Sequence, residues 1–338
     1  MPIERITDFS INNSAKVNII KQGNITEIRH LTFKNDEAQI RKIDNDTYEV
    51  LKTGEIRTFN HWENRGDGQN SLRKTFDNLR KIINTNCSST YRCRWATLTY
   101  RQDNGEPMTD PEQLYDDFRK FILRFNYFCK KHGYGKPEYI VAREPQHNGA
   151  WHAHVLFIFS DRAPYIHNDT EFNPIWGHGY TSFKTLKSEF GDVDNVGAYL
   201  TAYLADIDLE SALNIKNLNL SDYICKNGRW FDEKENKYVT KQFIKGARLR
   251  LYPSNFRLYN TSKGIKQPIE YETDYKSAKK EVSGQTLTRT SDILVDTGDY
   301  RTVISKRYYN SKRKSNQDVI NHNLVDLDTG EILEENYL

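Results

Sequence analysis

The sequence predicts an α+β fold, a central antiparallel β-sheet with helices packed on it, extended at both ends. Three observations lead there. From Arg92 to Ile207 the apolar residues switch between period 2 and period 3.6 in the order β, α, β, β, β, α. The second and third strands are separated only by a polar turn containing Asn148-Gly149, which makes them a hairpin. Each helical run keeps its apolar residues on one stripe, as a helix laid on a sheet does.

The elements follow in order. Residues 1 to about 65 are polar, Asn-rich and irregular, with short alternating stretches such as Thr47-Tyr48-Glu49-Val50-Leu51 that can pair as strands. Leu72, Phe76, Leu79 and Ile83 then recur at helical spacing; Asn70 or Ser71 caps this run and Asn86 ends it. Arg92 to Tyr100 alternates and reads as a strand. In the next helix Thr109 or Asp110 is the cap and Pro111 suits the first turn. Its apolar face is Leu114, Phe118, Phe121, Ile122, Phe125 and Phe128, and Gly133 stops it. Glu138 to Glu144 and Trp151 to Phe159 are the hairpin strands, residues 160–175 read as a loop, and Gly179 to Leu186 reads as another strand. Asp194 or Asn195 caps a last helix with Val196, Tyr199, Leu200, Tyr203 and Ile207 along one stripe.

A chain of 338 residues can bury a substantial core. The expected division is a leader over 1–88 with its helix at about 70–86, a central domain over 89–210, and a basic, aromatic region over 211–338. The net charge of +3 sets up no global basic field, so any case for nucleic acid rests on local patches. No apolar run reaches the roughly 18 residues that a membrane span needs. Met1-Pro2-Ile3-Glu4-Arg5 opens no apolar signal region, and the expected location is cytoplasmic, off the membrane. Cys87, Cys93, Cys129 and Cys225 are scattered without a CxxC pair, which speaks against a zinc ribbon and for reduced thiols, with Cys129 in the core.

The chemistry concentrates at Trp151-His152-Ala153-His154-Val155-Leu156-Phe157. Alternate strand residues point to one face roughly 6.6 Å apart, so His152 and His154 can converge on one metal ion. A strict two-residue Asn148-Gly149 loop would set Glu144 opposite Ala153, facing away from them. A three-residue loop, His147-Asn148-Gly149 with Gly149 left-handed, sets Glu144 directly opposite His152, and this form is the one we expect. Two imidazoles and a carboxylate leave positions open for water and a phosphate oxygen. Mg²⁺ and Mn²⁺ both suit such a set: the nitrogens favour Mn²⁺, cellular abundance favours Mg²⁺. Tyr199 and Tyr203, four apart on a helix, present two phenols to one place about 6 Å apart. Either can attack a phosphodiester beside a divalent cation and become a phosphotyrosine. Taken singly, the histidines fit a structural role and the tyrosines fit a core stripe; the conjunction with Glu144 favours a site. Tyr100 and His178 read as structural, and His147 as solvated.

A His-x-His strand with an upstream Glu144 and a downstream Tyr199-x-x-x-Tyr203 resembles the HUH endonuclease superfamily. Because the tyrosines follow the histidines, the chain is similar to the two-tyrosine rolling-circle replication initiators (Rep) of plasmids and single-stranded DNA phages. Thr97-Leu98-Thr99-Tyr100 resembles that family's first motif, and the likeness spans about Trp95 to Asp206. The resemblance implies an RRM-like sheet, a nick at single-stranded or cruciform origin DNA and a 5′-phosphotyrosine bond. It also implies a free 3′-hydroxyl for the host polymerase, with a host helicase as further partner. It assigns metal ligation to His152, His154 and Glu144, and nucleophile roles to Tyr199 and Tyr203. One departure stands out: relatives often place a lysine three residues after a tyrosine, where this chain has Ala202 and Asp206.

Beyond residue 210 two acid-free basic stretches appear. Lys241 to Lys266 holds seven Lys or Arg residues, and Lys245, Arg248, Arg250, Tyr252, Phe256, Arg257 and Tyr259 form its candidate DNA-binding set. Arg301 to Lys314 holds six, beside Tyr308 and Tyr309. Neither stretch fits a helix-turn-helix or a zinc finger. Other readings are a two-tyrosine rolling-circle transposase, a non-catalytic DNA-binding protein on a degenerate nuclease fold, and a cupin-like metalloenzyme. The last would want a glutamate where Ile158 and Phe159 stand.

Overall fold

The computed structural model describes residues 3–7, 9–34, 38–59, 61, 69–102, 105–186, 197, 206–215, 225–232, 237–254, 256–296 and 301–312. The chain is α+β. Helix α1 (Gln69–Asn86) precedes strand β1 (Cys93–Thr99), helix α2 (Pro111–Lys131), strands β2 (Glu138–Pro145), β3 (Trp151–Ile158) and β4 (Thr181–Thr185), and a short distant strand β5 (Tyr259–Thr261). These strands form one sheet in the order β4-β1-β3-β2-β5, with every neighbouring pair antiparallel.

Local chemistry sets the ends of α2. Asp110 is its cap, accepting the Glu112 amide at 2.8 Å, and Pro111 takes the first helical position. Its aromatic stripe lies on the sheet: Phe121 and Phe125 are fully buried, with ring centroids 6.4 and 4.7 Å from Phe157 on β3. Burying one such side chain stabilises by roughly 1.5–3 kcal/mol. Because Phe157 faces α2, alternation puts Ala153 and Val155 on the α2 side and turns His152 and His154 to the opposite face.

The expected loop at 160–175 holds more structure than that. A π-helical turn, Asn168–Phe172, runs into a short helix, Asn173–Trp176, which the left-handed Gly177 closes. Phe172 and Trp176 are both fully buried, 5.6 and 5.8 Å from the Phe121 ring. Two large aromatics four residues apart outweigh a polar stretch with no helical period of its own.

The leader is also more ordered than its composition suggests. Ile40–Lys42, Thr47–Val50 and Glu55–Thr58 form a small meander. Lys16–Gln22 and Ile25–Leu31 belong to a second, six-stranded antiparallel sheet. Its order is Ile3–Arg5, Thr286–Asp296, Arg301–Asn310, Ile25–Leu31, Lys16–Gln22, Ile269–Asp274, so both ends of the described chain build it. Val17, Ile19 and Ile28 on one face pack with Ala278 and Val282 of the helix Tyr275–Glu281. On the other side α1 lies between the two sheets. Leu72, Phe76, Leu79 and Ile83 join the main core. Asp77 and Arg80 meet the second sheet, with Arg29 3.9 Å from Asp77 and the Arg80 guanidinium 5.7 Å from the Tyr308 ring centroid.

This sheet absorbs much of the second basic stretch. Arg307 is buried and paired with Asp292 at 2.7 Å, and Tyr308 is buried. Cys129 is fully buried, as a small hydrophobe in the core. Among the described residues no helix is long and apolar enough to cross a membrane.

Candidate active site

The β2–β3 hairpin positions the histidines. Pro145 pairs with Trp151, the Gln146 amide donates to the Ala150 carbonyl at 2.7 Å, and the Gly149 amide donates to the Gln146 carbonyl at 3.0 Å. The loop is therefore His147-Asn148-Gly149, with Gly149 left-handed at φ +84°. In this three-residue form Glu144 stands directly opposite His152, and Ala142 opposite His154. Gly149 is needed for it, since a Cβ there would be strained by the backbone and would sit 3.3 Å from Thr109 Cγ2. Gly149→Ala is expected to lower stability by about 1–2 kcal/mol, read by urea unfolding. An unchanged midpoint would show that the loop accommodates the side chain by changing its turn.

The face turned away from α2 gathers a buried polar cluster. Glu144 and His154 are 2 % and 3 % exposed, and Glu144 Oε2 lies 2.5 Å from His154 Nε2. An ionised carboxylate only accepts, so His154 donates from Nε2, and its Nδ1 shares a hydrogen bond with the Thr97 hydroxyl at 3.3 Å. Trp95 stacks on the His154 ring with centroids 5.3 Å apart and planes 9° from parallel. Gln146 Nε2 donates to Glu144 Oε1 and to His152 Nδ1, both at 3.2 Å. Glu144 also meets Arg248, whose Nη1 forms an ion pair with Oε1.

Burial acts to raise the Glu144 carboxyl, but Arg248 and then His154 outweigh it and hold it down at about 2. His152 is pushed down to about 4, chiefly by burial, with Glu144 pulling the other way and His154 and Arg248 repelling the proton. Between pH 4 and 6.5 the unfolded chain therefore binds a proton at this residue that the folded chain does not. Stability rises with pH across that window and is complete above it. Denaturant unfolding of the metal-free chain is expected to lose about 2–3 kcal/mol from this group on going from pH 6.5 to 4, and His152→Gln should flatten the slope. An equal slope in both proteins would place the titration elsewhere.

The donor set, two imidazoles and a carboxylate on adjacent strands, suits a divalent cation. Thr97 can donate or accept, so His154 can move its proton to Nδ1 and free Nε2 for a metal without losing that hydrogen bond. The donors are not gathered round a common point, however: Nε2 of His154 touches the carboxylate, and Arg248 takes its other oxygen. Among the described residues no group of three such side chains forms a ready metal cage.

Tyr199 and Tyr203 lie outside the described residues, with most of the helix expected to carry them; Ile207, expected on that helix's apolar stripe, instead stands in a short strand, Ile207–Asp208, paired with Ile244. The residues at either side of 198–205 are described and both are anchored. The Gly197 amide donates to Asn84 Oδ1 at 3.0 Å on α1, where a Cβ would meet the Arg80 carbonyl at 2.5 Å. The largely buried Asp206 side chain forms an ion pair with Lys245 and accepts the Gly246 amide at 3.0 Å. Burial pushes the Asp206 carboxyl up, against the pull of Lys245. His178 lies 3.7 Å from Asp117, which also accepts from the Tyr100 hydroxyl at 2.9 Å, and His147 is exposed at the hairpin tip.

The residues expected to contact DNA divide into two groups. Lys245 and Tyr252 are buried, at 7 % and 1 % exposure, and Arg248 is turned inward to Glu144. Phe256 is half-buried with its ring 4.8 Å from that of Trp151, and Tyr259 is half-buried in β5, paired with Ala142. Arg250 and Arg257 are exposed, so the surface a nucleic acid meets here is narrower than the run of charges. The sequence missed Gln146, Thr97, Trp95 and the site role of Arg248. Alternation from Glu144 signals Gln146, and Thr97 follows from the pairing of β1 with β3, whereas nothing local marks Arg248.

A family model described as replication-associated protein ORF2/G2P matches residues 93–208, from the start of β1 to just beyond Asp206. No curated protein and no solved structure matches the chain.

Proposed function

We propose that this chain is a rolling-circle replication initiator of the HUH type, a nuclease and strand transferase that nicks origin DNA through a tyrosine. The observation that carries this reading is the three-residue hairpin loop. It sets Glu144 opposite His152 and beside His154, within the stretch similar to replication-associated proteins. Glu144, His152 and His154 would hold Mg²⁺ or Mn²⁺. When bound, the ion would polarise the scissile phosphate and neutralise its non-bridging oxygens. Thr97, Trp95 and Gln146 orient the imidazoles and the carboxylate. The phenol of Tyr199 or Tyr203 attacks the phosphorus, the bond to the 3′-oxygen breaks, and the phenol's proton ends on that oxygen as a 3′-hydroxyl. The DNA is left joined by its 5′ phosphate to the tyrosine, and a second tyrosine allows a second transfer. Arg250 and Arg257 would meet the phosphate backbone.

The test is incubation with single-stranded origin DNA and Mn²⁺, followed by a denaturing gel for protein joined to a DNA 5′ end. Wild type is expected to give an adduct that chelator abolishes, and His154→Ala to reduce it by roughly 10²–10⁴-fold. A second reading has one observation in its favour: Arg248 holds a positive charge on Glu144 without any ion. That suits a DNA-binding protein on a nuclease fold, which would bind the same DNA and form no adduct.

A further inference from the structure

Arg248 reaches Glu144 from 104 residues further along the chain. It stands on a short 3₁₀ turn, Ala247–Leu251, which is fixed from both sides. Leu249 and Tyr252 are buried in the main core, and Gly246 is tied to the Asp206 carboxylate at 3.0 Å. The guanidinium itself has three acceptors. Nη1 pairs with Glu144 Oε1 and lies 3.4 Å from the Pro145 carbonyl, while Nε donates to the Asp206 carbonyl at 2.9 Å. Its side chain is only 12 % exposed.

We propose that Arg248 is a resident cation of the hairpin site, competing with a divalent ion for the negative charge of Glu144, so that metal affinity is set against this guanidinium. The inference rests on reading Glu144, His152 and His154 as a divalent site. Glu144 has two oxygens, and His154 and Arg248 hold one each. A divalent ion on this carboxylate would lie a few ångströms from the guanidinium charge in a poorly screened place, where the repulsion is several times that in water. With the ion on Oε2 and the guanidinium on Oε1, the two positive charges would share one buried carboxylate and each would weaken the other's hold on it. Withdrawal does not strand the arginine, because the carbonyls of Asp206 and Pro145 remain as acceptors.

Mn²⁺ binding to the full chain, measured by calorimetry and by the paramagnetic signal of free Mn²⁺, tests the competition without any DNA. Arg248→Gln is expected to tighten Mn²⁺ binding at least about tenfold. Lys263→Gln removes an exposed charge from the same basic stretch and should stay within about twofold of wild type. Arg248→Lys keeps a charge without the fork and should gain about threefold; it carries the comparison if the glutamine variant does not fold. Equal or weaker Mn²⁺ binding in the Arg248 variants, with His154→Ala abolishing binding in the wild-type background, overturns the competition alone. Failure of wild type and of every variant to bind Mn²⁺, or indifference to His154→Ala, overturns the metal reading and the competition with it.

Discussion

Changing Tyr199 and Tyr203 together to phenylalanine is expected to remove covalent attachment to origin DNA, a loss of roughly 10³–10⁶-fold. The substitution keeps both rings and removes only the oxygens, so packing changes little while the nucleophile disappears. DNA binding should persist, because phosphate contacts carry most of the affinity and the tyrosines carry none of that charge. The single variants divide the two roles. If either phenol can reach the phosphorus, Tyr199→Phe and Tyr203→Phe each keep adduct, whereas loss in one names the initiating nucleophile. Gel-shift and denaturing-gel measurements on the same samples separate binding from chemistry, and an adduct surviving in the double variant would remove both tyrosines from the mechanism.

The second large effect concerns the carboxylate. Glu144→Ala should destabilise the metal-free chain by about 3–5 kcal/mol, since it leaves Arg248 and His154 facing a buried gap. The contribution is electrostatic and follows pH: with its carboxyl held near 2 in the fold against an ordinary 4.5, Glu144 contributes fully above 4.5 and loses that contribution as pH falls toward 2. Glu144→Gln with Arg248→Met removes both charges of the pair, and should cost less than the sum of the two single changes by at least about 1.5 kcal/mol. Urea unfolding of the four proteins measures the coupling, and simple additivity would mean that the pair is not formed in solution.

The central sheet is legible in the sequence because its signals are local. Asp110-Pro111 marks the start of α2, Gly133 marks its end, and the loop length together with Gly149 fixes which residue faces His152. The second sheet is not legible. Ile25–Leu31 pairs with Arg301–Asn310, and no period within either strand names a partner so far along the chain. The partners of several basic residues are hidden from the sequence for the same reason. Lys245, Arg248 and Arg307 look like solvated or DNA-facing charges until Asp206, Glu144 and Asp292 are brought beside them. A charge count over a window cannot see a counter-charge supplied by the fold.

Building one sheet from both ends of the chain also imposes a timetable. On a ribosome the hairpin of Lys16–Gln22 and Ile25–Leu31 emerges first, while its flanking strands Ile269–Asp274 and Arg301–Asn310 come last. At translation speeds of roughly 5–20 residues per second, the wait is about 15–60 s. Throughout it, the early hairpin has two open edges that a neighbouring nascent chain could extend. Lys16, Lys21, Glu27 and Arg29 stand along those two strands. Charged side chains on strands with open edges are a device that disfavours pairing with another chain.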